Sequence, residues 1–146
     1  MMTRQSRLSA GIILILLPTV AYGGVSLLGL LLSDPRYEQN HLRQDLWRAG
    51  HAHAGVWLIL SLVILGFVDE ANLPQGVKTF VRWSTPVAAI LVPAAFFLSV
   101  VSPDATQPNS LIYLAYVGGV ILVTGLIVIG IGLIRGNTSE TTPPNN

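Results

Sequence analysis

The amino-acid sequence predicts an all-α fold, an integral membrane four-helix bundle with antiparallel neighbours. Three observations carry that prediction. Of 146 residues, 51 % are hydrophobic and only 10 % charged, with a mean hydropathy of +0.62; a water-soluble domain of ordinary make-up is far more polar. Four stretches, residues 8–33, 49–68, 83–102 and 110–134, contain no Asp, Glu, Lys or Arg. Each has about the 20 residues that an α-helix needs to cross roughly 30 Å of hydrocarbon, which is too long for a barrel strand.

The first span, 8–33, follows Arg4 and Arg7 and contains Pro18, which removes one helical hydrogen bond and implies a kink. Two basic residues ahead of an apolar run, with small residues at Ala21 and Gly23, also fit a cleaved signal peptide. The run continues through Val25 to Leu32, as a retained span would. The loop from Asp34 to Arg48 is the only sizeable polar segment, with Glu38, His41, Arg43, Asp45 and Arg48 at spacings compatible with helical turns leading into the second span, 49–68. Short turns at 69–76 and 103–109 join the second span to the third (83–102) and the third to the fourth (110–134), which favours antiparallel neighbours. In the fourth span Gly118, Gly125 and Gly132 recur every seven residues, the period that a left-handed helix pair maintains. The domain so defined is 1–135; residues 136–146 read as a disordered polar tail.

Counting Lys and Arg near the spans places both termini on the cytoplasmic side of a cell (inner) membrane: Arg4, Arg7, Lys78, Arg82 and Arg135 fall on one face, Arg36, Arg43 and Arg48 on the other. A net charge of +1 excludes the basic face that a nucleic-acid partner needs. The absence of cysteine leaves a metal only nitrogen and oxygen ligands. Trp47, Trp83, Tyr113 and Tyr116 lie at span ends, where amphipathic rings anchor at an interface.

The candidate site is Gly50-His51-Ala52-His53-Ala54-Gly55 at the mouth of the second span. On a helix, residues two apart are rotated by about 200°, so His51 and His53 point to nearly opposite flanks. They cannot chelate one ion together, but each can offer a nitrogen to a separate site, and neutral imidazole suits haem iron, copper or zinc. The same pair reads equally as packed, hydrogen-bonded histidines. Tyr22, near the middle of the first span, needs a hydroxyl partner, for which a histidine of the second span is a candidate. Arg48, one turn ahead, suits a haem propionate or a lipid phosphate, with an ion pair to Asp45 as the simpler account. His41 reads as a solvated loop residue.

The His51-x-His53 spacing resembles the helix of haem–copper oxidase large subunits whose two imidazoles serve two different haems. Arg48 to Gly55 together with Pro93 to Leu98 resembles uncharacterised small four-span bacterial membrane proteins; that resemblance implies the topology and no activity. Three functions follow as expectations. The first is a histidine-dependent haem or transition-metal (Cu, Fe or Zn) binding protein, with His51 and His53 as ligands and Arg48 and Tyr22 beside the cofactor, further ligands coming from a homo-oligomer or a larger membrane complex. The second is a non-catalytic accessory or assembly subunit. The third is a small transporter or channel, weakened by the lack of charge within the spans. No nucleophile, carboxylate pair or phosphate loop defines an enzymatic reaction.

Overall fold

The computed structural model describes residues 2–137, and among these every regular element is helical. Helix α1 (Arg4–Ser33) is followed by a single turn, α2 (Pro35–Glu38), then α3 (His41–Phe67), α4 (Gln75–Ser99), a 3₁₀ turn at Ser110–Tyr113 and α5 (Leu114–Asn137). The starts are set by local chemistry. Thr3 and Asn40 accept the backbone N–H three residues on, at 3.2 and 3.1 Å, and Asp34 caps α2 with Pro35 at its first position. Helix α1 continues unbroken through Pro18, and α4 through Pro86 and Pro93.

Four helices are long and apolar enough to cross a membrane: Arg4–Ser33, His41–Phe67, Gln75–Ser99 and Ser110–Gly136. They begin one to two turns before the charge-free windows in α1, α3 and α4, so Arg4, Arg7, Arg43, Arg48, Lys78 and Arg82 are helical. Helix α4 stops at Ser99, short of the expected 102, and α5 runs on to Asn137 rather than ending at residue 134. Gly136 and Asn137, expected in the polar tail, are helical, and residues 138–146 lie outside the described residues.

The helices pack in the order α1, α3, α4, α5, with α4 at the centre of the larger interfaces and α1 held chiefly by α3. Burial follows that order: α1 buries only Ser6 and Ile13, whereas α4 buries Val81, Ala88, Ala89, Val92 and Ala95 among others. The glycine stripe explains the close α4–α5 contact. A Cβ at Gly118 would meet Val92 Cγ2 at 2.7 Å, one at Gly125 would fall on the Ser84 side chain, and one at Gly132 would lie 2.5 Å from Leu73 Cγ. The partners descend in number as the glycines ascend, the mark of an antiparallel pair, and all belong to the same chain. Large apolar side chains such as Ile15, Leu32 and Ile134 face outward, each more than 70 % exposed, an apolar surface of a kind that soluble monomers rarely expose.

Polar clusters close both ends. At the terminal end, where the chain begins and α5 finishes, Asp69 accepts Arg82 Nη2 at 2.5 Å and the Thr3 N–H at 2.8 Å. Arg82 also donates to Ser6 Oγ at 3.1 Å and Gln5 Oε1 at 3.4 Å, and Lys78 Nζ to the Asp69 carbonyl at 2.8 Å. At the opposite, loop end, the last carbonyls of α4 would be orphaned by helix termination. Trp47 Nε1 donates to Phe97 O (3.1 Å), Asn109 Nδ2 to Leu98 O (3.1 Å), the Asn109 N–H to Ser99 O (2.9 Å) and Arg43 Nε to Val100 O (3.1 Å). The Arg43 guanidinium also lies 4.4 Å from the Trp47 ring centre. Trp47 is thus a tertiary cap wedged between Tyr37 and Phe97, not the plain interface anchor its position suggests.

Candidate functional site

The glycines around the histidine pair bring α3 against both neighbours. A Cβ at Gly50 would lie 3.0 Å from Phe97 Cε2 on α4, and one at Gly55 would touch Val20 Cγ1 on α1 at 3.5 Å. Between them the helix stays regular, so the two imidazoles diverge. His51 lies on the α1 flank, where its Cε1 and Nε2 edge occupies the space that a Cβ on Gly24 would need, 3.1 Å away, with Nδ1 3.7 Å from one on Gly23. His53 lies on the α4 flank, edge-on to Phe96 (5.4 Å between ring centres) and to Trp57 (4.9 Å). Both rings are half-buried.

One backbone hydrogen bond sets the tautomer of a neutral His53. Its Nδ1 is 2.6 Å from the Ala49 carbonyl oxygen; a carbonyl only accepts, so Nδ1 carries the hydrogen and donates it. In the neutral ring Nε2 is then left with its lone pair, and His53 lines a shallow recess together with Ala52, Val56 and Trp57. A ligating histidine is commonly oriented in this manner, one nitrogen held by a backbone carbonyl and the other bare. His51, by contrast, makes no hydrogen bond within the described residues.

Arg48 stands one turn before His51, about 60° from it around the helix axis. It does not pair with Asp45, as the sequence suggests; Nη2 donates to Gln44 Oε1 at 2.8 Å. Gln44 wins because it is itself fixed: buried at 6 % exposure, its amide nitrogen donates to the Tyr37 and Glu38 carbonyls at 3.0 and 2.6 Å, which turns its oxygen toward Arg48. Tyr22 is not brought to either histidine. Its side chain is 75 % exposed and makes no hydrogen bond to a histidine within the described residues; the adjacent Gly23 and Gly24 meet His51 instead. His41 is exposed, as expected of a loop residue.

No group of three or more His, Cys, Asp or Glu side chains able to hold a metal ion occurs among the described residues. Sequence reasoning missed Gln44, which positions Arg48, and the Arg82–Asp69 pair. Arg82 and Asp69 are separated by 13 residues across a turn, and no periodicity signals such a contact. No protein-family model, characterised protein or solved structure matches the chain.

Proposed function

We propose that this chain is a histidine-dependent haem- or transition-metal-binding membrane protein in which His53 Nε2 is the first ligand. One observation carries the reading: the Nδ1 bond to Ala49 O leaves a lone pair on Nε2 of a residue that lines an open recess, the form that coordinates iron, copper or zinc. A single imidazole does not complete a coordination sphere, so the remaining ligands come from a second copy or from another subunit of a membrane complex. His51, on the opposite flank, serves a separate site, and Arg48 lies closer to His51 than to His53 around the helix axis. Four long apolar helices support insertion in the inner membrane, and the Lys and Arg distribution supports cytoplasmic termini.

A second reading, a non-catalytic accessory or assembly subunit, is favoured by the fit of His51 against Gly23 and Gly24, which suits helix packing without a ligand. Nothing comparable supports a transporter: the charged groups cluster at the two ends, with no ionisable relay between them among the described residues.

The test is a visible spectrum and metal analysis of protein purified in mild detergent. A Soret band or a stoichiometric metal is expected, abolished in His53→Ala and retained in Trp57→Phe, with helical circular dichroism unchanged. A colourless, metal-free parent protein sinks the ligand reading and leaves the accessory one.

A further inference from the structure

We propose a phosphate-oxyanion site at the loop end of the α1–α3 seam, formed by Arg48 and His51. It stands independently of metal binding at His53, which is on the other flank of α3. Gln44 is locked by two backbone carbonyls and holds one Arg48 nitrogen, while the other guanidinium donors have no partner among the described residues. Arg48 forms no ion pair among the described residues, so no carboxylate neutralises its positive charge there.

One turn further along the helix, His51 presents ring nitrogens without hydrogen bonds, and Gly23 and Gly24 remove side-chain bulk from the facing surface of α1. Planar guanidinium donors with a neighbouring imidazole match the oxygens of a phosphate group. Arg48 immediately precedes the charge-free run 49–68, which sets it at the depth of lipid headgroups if α3 crosses a bilayer. The phosphate is therefore that of a phospholipid or a free phosphate reaching the same depth.

Full-length protein extracted from dioleoyl phosphatidylglycerol vesicles and measured by native mass spectrometry tests the first source. One phospholipid per chain should be retained, with retention falling about tenfold in Arg48→Gln, as expected for loss of a charge-assisted hydrogen bond. The fall should be smaller in Arg48→Lys, which keeps the charge, and in His51→Gln, and absent in Arg36→Gln, whose side chain is 70 % exposed. Broadening of the inorganic-phosphate ³¹P resonance by parent protein but not by Arg48→Gln would assign the site to free phosphate. The proposal is overturned if the parent neither retains lipid nor broadens the resonance, if Arg48→Gln matches the parent in both, or if Arg36→Gln loses lipid equally.

Discussion

Replacing Asp69 by Asn tests the latch that ties the first turn of α1 to the α3–α4 turn and to α4. The Asp69 and Arg82 side chains are 8 % and 2 % exposed and 2.5 Å apart. Burial alone would raise the Asp69 pKa, but bonds from the Thr3 N–H, Arg82, Ser6 and the Thr3 hydroxyl outweigh it and hold the value at about 2 instead of 3.8. That difference corresponds to about 2 kcal/mol of stability. Because the folded value is depressed, the contribution is complete above pH 3.8 and is lost as pH falls toward 2. Asn keeps the shape but leaves the Arg82 guanidinium buried without its counter-charge, so the loss at pH 7 should reach about 3 kcal/mol. Denaturant unfolding in detergent, followed by tryptophan fluorescence, measures it. The parent and Asp69→Asn curves should differ most at neutral pH and converge between about pH 4 and pH 2. A variant within about 0.5 kcal/mol of the parent at pH 7, or a gap that persists unchanged at pH 2, would refute the assignment of this energy to the ionised pair.

Gly125→Ala should destabilise by about 1–3 kcal/mol, because its Cβ would land on Ser84 in a packed seam. Gly119→Ala, with nothing within 4 Å, should be neutral or gain up to about 1 kcal/mol from helix propensity; equal effects at the two positions in the same unfolding assay would contradict the register of α4 and α5. Arg43→Met should cost about 1.5–3 kcal/mol, as charge-assisted bonds to the α4 carbonyls and the contact with Trp47 disappear. Arg43→Lys should recover only part of that, and full recovery would show that charge alone mattered.

Much of the fold was legible because apolar length and helical period are local quantities. The charge-free windows 8–33 and 110–134 lie within helices long enough to cross a bilayer, those at 49–68 and 83–102 overrun theirs by one and three residues, and the seven-residue spacing of Gly118, Gly125 and Gly132 marked a packing face before any partner was known. Helix ends were less legible. Ser99 ends α4 where Trp47, Arg43 and Asn109 supply donors to its last carbonyls, and those donors lie up to 57 residues away in sequence.

At the candidate site the sequence by itself determined that His51 and His53 diverge, since an α-helix turns about 100° per residue whatever surrounds it. Only the tertiary structure decided what each meets: Gly23 and Gly24 for His51, Phe96 and Trp57 for His53, Gln44 rather than Asp45 for Arg48, and open surroundings for Tyr22. The physical reason is that side-chain partners are chosen by which helix faces lie together and by which polar groups are already held by others, and a linear pattern carries neither.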